Sequence, residues 1–478
     1  MSAVQAAAGF PAGHAPSGLL ARRAGIVVFL AFAAAYFCST LVRAITATLA
    51  PVLTQEFSLH ARDLGLLAGG YFLGFAATQL PLGTWLDRHG PKRVILSFLS
   101  LAVLACLAFS VATSFTGLLI ARVLLGMGVS ACLMAPLTGY RRWFDTGTLL
   151  RANSWMLMTG SLGMLASTLP VQWLMPLTGW RPLFWILAGL ILLSMLAIAW
   201  VVPAWSAGSP SPFKQGPRNR LSRAAGAAAP EGLEPAGPNL PAQVWTGDRS
   251  EASGERRPAR PREPHAVGSV GATFIWRSRY FQKMAPLAFF NYGGVIAIQT
   301  LWAGPWMIRV AGYTPLEAAT GLFWINGAML FTFWGWGMVN PWLSRHGWSA
   351  NRLITWGVPL SMTVLAANIV AGPATGWVGW ALFCMSASVM GLAQPAVGMA
   401  FPQALAGRAL SGYNLVIFAG VFVMQWGIGL LIDAFQAMGM DRVASFQAAL
   451  GVFLCCCIAS YAFFHGAKAD PTADNSRQ

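Results

Sequence analysis

Charge is scarce in this sequence, and acidic charge is scarcest. Only 10% of the 478 residues are charged, with 31 Lys and Arg against 15 Asp and Glu, whereas a soluble domain carries roughly 25%. Together with 56% apolar residues, this excludes a single water-soluble core, because such cores stop growing near ~250–300 residues. The seven cysteines point to neither a disulfide framework nor a zinc module. Cys38, Cys106, Cys132 and Cys384 stand singly in apolar runs, and none of the seven has ligand spacing with a histidine. Cys455, Cys456 and Cys457 are adjacent, so on a helix they point in different directions.

What the chain has instead is long apolar runs. Mean hydropathy is +0.58. Runs of the length that crosses a hydrocarbon core of ~30 Å recur at 24–51, 64–86, 93–113, 116–138, 150–174, 182–202, 282–309, 316–343, 351–372, 376–402, 409–434 and 443–464. Twelve crossings predict an all-α polytopic protein dissolved in the lipid bilayer. Arg22 and Arg23 precede a first run far longer than a signal-peptide core, so that run reads as a retained anchor. No acid lies well within a crossing: Glu56, Asp63, Asp87, Asp145, Glu317, Asp433 and Asp441 all lie at ends or in loops. A carrier of organic cations, or one using a buried carboxylate for protons, needs an acid near the midplane. No catalytic triad, metal-ligand cluster or carboxylate pair is available in the membrane either, so no enzyme activity, cofactor or metal is expected.

The net charge of +16 does not point to nucleic acid, because of where it lies. With the N-terminus in the cytoplasm, Arg22, Arg23, Arg88, Lys92, Arg93, Arg141, Arg142, Arg151, Arg345, Arg352 and Arg408 all fall on that side. Only Arg62, Arg181, Arg309 and Arg442 fall on the other. Loop cations gather on the cytoplasmic face of membrane proteins. The expected placement is a bacterial inner membrane, with both termini cytoplasmic.

Between the sixth and seventh runs, residues 203–275 turn rich in Pro, Gly, Ala and charge, too poor in apolar side chains to offset the entropy of ordering. The expected organisation is therefore a tail 1–23, a six-helix bundle 24–202, a disordered linker 203–275, a second bundle 276–466 and a tail 467–478. The bundles share a phrase: "WLDRHG" at 85–90 and "WLSRHG" at 342–347. An offset of 257 relates Trp85 to Trp342, Arg88 to Arg345, Arg151 to Arg408 and Gly163 to Gly420. Agreement at one offset in separate segments predicts duplicated, pseudo-symmetric halves, a plan of secondary transporters that bind solute between the halves near the midplane.

Around the first copy, Gly83, Asp87, Arg88, Gly90, Lys92 and Arg93 fit G-x-x-x-D-R-x-G-x-K-R, with Pro91 where a basic residue is more usual. "RVLLGMG", with Arg122 and Gly126, and "GWRPLFW" follow further on. These stretches resemble the loop signature, fourth-helix motif and helix five-to-six link of the major facilitator superfamily. The resemblance implies two rocking six-helix bundles in a monomeric permease, with the first, fourth, seventh and tenth helices lining the cavity. It also implies a latch in which Asp87 caps the eleventh helix near Arg408 to Ser411 while the cytoplasmic side is closed. Arg88, Lys92, Arg93, Arg151 and Arg345 would surround it, and Ser344 would offer only a neutral cap at the second copy.

Charges in the membrane interior are functional candidates by default, and only Arg43 and Arg122 lie well within crossings. Arg43 suits an anion held by charge-assisted hydrogen bonds. "LVR" with Pro51 also resembles the first helix of organophosphate antiporters, but the seventh run lacks their second arginine, so a singly charged carboxylate fits better. Tyr36, Ser39, Asn291, Tyr292, Gln299, Trp302 and Gln394 would complete the binding site. Arg122 would be structural or coupling. The expected partner is a small organic anion, with a proton or counter-anion as the coupling species. Efflux of drugs or neutral solutes, and a non-transporting sensor, remain alternatives.

Overall fold

The computed structural model describes residues 20–203 and 274–467. The expected linker and tails fall outside these residues apart from their edges. Every regular element among the described residues is helical. The first half comprises α1 (Arg22–Phe57), α2 (61–89), α3 (91–111), α4 (Phe115–Trp143), α5 (146–178) and α6 (Trp180–Val201). The second comprises α7 (Arg279–Arg309), α8 (Pro315–Arg345), α9 (Ala350–Ala371), α10 (Trp377–Met399), α11 (Gln403–Ala437) and α12 (Arg442–Gly466).

Among the described residues, ten helices are long and apolar enough to cross a membrane. The other two crossings, α2 and α5, are each assembled from shorter helices, and proline accounts for both breaks. Ala61–Ala77 ends at Thr78, three residues before Pro81, and Thr146–Ala166 ends just ahead of Pro170. A proline has no N–H for the carbonyl four residues back, so that part of the ladder opens. At the second break the Thr48 hydroxyl of α1 donates to the Ser167 carbonyl at 2.8 Å, satisfying a group the break exposes.

The doubled phrase closes equivalent turns. Gly90 has φ 77° and Gly347 has φ 78°, a left-handed conformation that a Cβ disfavours. Gly163 and Gly420 are equivalent as well. A Cβ on Gly163 would lie 2.4 Å from the Phe37 carbonyl of α1, and one on Gly420 2.2 Å from the Phe289 carbonyl of α7. The same inter-helix approach, α5 on α1 and α11 on α7, is built twice.

"GWRP" ties the helix ends on the face away from the basic loops. Trp180 Nε1 and Arg181 Nη1 both donate to the Glu56 carboxylate at 2.6 Å, and Arg181 also donates to the Ala112 carbonyl at 3.2 Å. The two halves pack most closely along antiparallel α2 and α11. Toward this same face the approach is so tight that a Cβ on Gly65 would fall 2.3 Å from the Gln425 carbonyl.

Candidate functional site

Arg43 sits midway along α1 and is partly exposed, yet its Nε is buried without a hydrogen-bond partner. Its guanidinium carbon lies 5.5 Å from the Phe75 ring centre on α2 and 6.0 Å from that of Phe418 on α11. Phe75 and Phe418 themselves touch, 4.5 Å between centres, so the cation rests on a ring from each half. The hydroxyl-bearing rings of Tyr36, Tyr71 and Tyr292 complete its electrostatic surroundings. Among the described residues no carboxylate offsets the charge, and weak cation–π attraction and phenolic oxygens face it.

Arg122 plays a different part. It is fully buried, and its Nη1 donates to the Val42 carbonyl at 2.9 Å while Nη2 donates to the Arg43 carbonyl at 3.4 Å and to the Thr46 hydroxyl. Tyr71 lies between the two arginines, its ring 5.2 Å from the Arg122 guanidinium and its hydroxyl donating to the Ser39 carbonyl at 3.3 Å. Arg122 thus grips the α1 backbone at the residue that presents Arg43. Gly126 makes this possible, since a Cβ there would fall 1.9 Å from the Tyr71 carbonyl and push α4 away from α2.

The remaining expected contacts divide. Tyr36 packs on Gly160 of α5 and Tyr292 is partly exposed, and both neighbour Arg43. The others spend their polar groups between helices. Ser39 donates to the Val129 carbonyl at 3.4 Å, Asn291 to the Ser460 hydroxyl at 2.8 Å, Gln299 to Asn326 at 3.0 Å and Trp302 to the Gln425 carbonyl at 3.1 Å. Gln394 is hydrogen-bonded to Asn414 of α11. These ties are what polar side chains commonly make in lipid, where an unpaired group is costly. Asn291, Tyr292, Gln299 and Trp302 nevertheless share one feature: they lie in two π-helical turns, Ala288–Tyr292 and Ile298–Trp302. Such turns recur at functional positions.

On the basic face, Asp87, Arg88 and Arg93 are exposed and unpaired among the described residues, and Lys92 is partly exposed. Gly83 approaches Ser411, and the antiparallel pairing then carries Asp87 toward the first turns of α11 without forming a hydrogen bond. Ser344 and Arg345 end α8, where Arg345 Nε donates to the Pro341 carbonyl at 3.3 Å. Arg408 is exposed in the second turn of α11, and Arg151 is on the opposite half, in α5.

The far face holds a contact the sequence reading missed. The Asp433 carboxylate of α11 accepts the Ala61 and Arg62 backbone N–H groups at 3.1 and 2.9 Å. An acid of the second half thereby caps the first turn of α2 in the first half, where free N–H groups and the helix dipole favour an anion.

Comparison with known proteins extends this picture. The family model described as Major Facilitator Superfamily matches residues 32–425. A gallate transporter of Pseudomonas putida is 25% identical over 426 residues, covering 86% of this chain and 87% of that protein. A hexuronate transporter of Escherichia coli is 26% identical over 162 residues, covering 34% of this chain and 37% of its own length. Among solved structures, an inward-facing, unoccupied bacterial homolog of the human lysosomal transporter Spinster superposes with a TM-score of 0.68 at 16% identity, covering 95% of this chain and all of that one.

Proposed function

The chain belongs to the Major Facilitator Superfamily, and on that premise we propose that it is a permease for small organic anions whose carboxylate is bound by Arg43. The observation that carries this reading is the partly exposed guanidinium between the halves, its Nε unpartnered and no carboxylate against it, in a membrane interior that holds no acid among the described residues. A buried cation without a counter-charge is costly, and a bound carboxylate would supply two acceptors in the geometry a guanidinium prefers. Gallate and hexuronate, the solutes named for the two relatives, are both polyhydroxylated carboxylates and differ in the ring that bears the hydroxyls. The surroundings of Arg43 separate them. Phe75, Phe418, Tyr36, Tyr71 and Tyr292 offer aromatic faces rather than the many hydrogen-bonding side chains a sugar acid would need, which favours an aromatic carboxylate.

The basic loops are read as cytoplasmic, in a bacterial inner membrane. The halves are then joined on the outer side by the Asp433 cap, while Asp87 on the inner side makes no such cap. Alternating access would exchange one cap for the other, Asp433 on α2 for Asp87 on α11. With no carboxylate to carry a proton, coupling would run through a proton travelling with the substrate or through exchange of one anion for another.

Uptake into proteoliposomes tests the reading, with substituted benzoates, uronic acids and short aliphatic acids as candidate substrates. Arg43→Ala should abolish uptake of the preferred acid, and Arg43→Lys should leave a small fraction, since lysine keeps the charge but not the fork. Phe75→Leu and Phe418→Leu should each raise KM for aromatic acids by up to about tenfold, the worth of one aromatic contact. Undiminished uptake by a folded Arg43→Ala protein overturns the anion site. Equal effects of the two Phe substitutions on aromatic and aliphatic acids overturn the aromatic preference alone.

A further inference from the structure

A cavity beside the described helices lies away from Arg43. We propose that it binds the headgroup of an anionic phospholipid. The cavity, of about 710 Å³, opens where the basic ends of α1, α4 and α5 meet. Arg22 and Arg151 stand at its mouth, both exposed and neither in an ion pair or hydrogen bond among the described residues. Thr148 adds a hydroxyl. One acid, Asp145, also lines it, and its carboxylate accepts the Thr148 backbone N–H at 3.0 Å as the cap of α5. Below this rim the wall is apolar, formed by Phe29 and by Trp155, which is 58% exposed.

This layering matches one ligand class. The rim lies at the ends of the apolar runs, at headgroup level, and the wall continues into helix surface that faces acyl chains. A soluble anion would use only the two arginines, whereas a phospholipid satisfies the cations with its phosphate and covers the rings with its chains. Basic pockets between membrane helices suit anionic headgroups for this reason. The duplicated half sharpens the point. The 257-residue offset places Arg279 and Arg408 where Arg22 and Arg151 stand, but there Gly412 replaces Trp155 and aromatic side chains pack against it. Phe281 and Trp276 lie 3.6 and 3.7 Å from where a Cβ on Gly412 would be.

Native mass spectrometry of the full-length protein, titrated with phosphatidylglycerol or phosphatidylcholine of identical chains, tests the proposal. Phosphatidylglycerol should remain bound under activation that strips phosphatidylcholine, with an affinity about tenfold or more higher, as two arginines imply. Arg22→Gln with Arg151→Gln should remove that excess, and the paired Lys substitutions should preserve most of it. Elution and thermal midpoint are measured on each variant so that a misfolded protein is recognised. Equal retention of the two lipids, or a Gln/Gln variant that keeps the preference, overturns the proposal. Displacement of the lipid by millimolar sn-glycerol 1-phosphate would instead make this a soluble-anion site. A large gain in lipid binding on deleting residues 1–19 would make the N-terminal segment its occupant.

Discussion

Asp433→Asn is the most informative single substitution. Asparagine keeps the shape but has one oxygen acceptor in place of two and no charge. Of the two bonds, 3.1 and 2.9 Å to the Ala61 and Arg62 N–H groups, one can survive as a neutral bond. A hydrogen bond to a charged group contributes about 1.5–3 kcal/mol, and an anion at an exposed helix N-terminus about 0.3–1 kcal/mol. Asp433 is partly exposed, so screening by water and salt favours the low end. A loss of roughly 1–2 kcal/mol is then expected, shifting the balance between the two access states by about 5–30-fold. Spin labels at Leu177 and Met438 would report it, since both are exposed at this face, one in each half. With the exposed native cysteines replaced, pulsed electron resonance should show a longer-distance population that grows in the variant. Distance distributions unchanged in both Asp433→Asn and Asp433→Lys would refute the reasoning, because lysine should break the cap outright.

Asp87→Asn should move the same distances the other way, and Ser344→Ala should scarcely move them. Equal shifts for the two would reduce the repeated phrase to a trace of duplication. Arg122→Gln should cost stability on the order of 3–5 kcal/mol, because it frees the Val42 and Arg43 carbonyls and empties a buried volume. A fall of many degrees in the thermal midpoint checks this, and an unchanged midpoint with lost uptake would assign Arg122 to coupling instead. Gly126→Leu should fail to assemble a stable bundle, seen as aggregation on size-exclusion chromatography, since its side chain would overlap the Tyr71 backbone.

The fold was legible because membrane crossings announce themselves by length and composition, and because lipid leaves the backbone few alternatives to helix. The breaks in α2 and α5 follow from Pro81 and Pro170, although a hydropathy window smooths over both. Arg43 stood out as one of two interior charges. Its partners did not, because Tyr71, Phe75 and Phe418 sit among many aromatic residues and apolar runs carry no sign of which face turns inward. The bonds that Asn291, Gln299 and Gln394 make to α12, α8 and α11 were not legible for the same reason. The Asp433 cap could not be read locally at all, since its partners lie 372 and 371 residues away.

The missing counter-charge at Arg43 has an electrical consequence. If Arg43 binds the substrate, the empty carrier holds its charge near the middle of the membrane without compensation, and loading with a monoanion cancels that charge. Membrane voltage acts on charge at about 2.3 kcal/mol per 100 mV for a full crossing, so it should bear mainly on the return of the empty carrier. Exchange of one anion for another, in which the carrier reorients only when loaded, should be nearly indifferent to a potassium–valinomycin potential. Net uptake, which requires the empty return, should change with both its sign and its size.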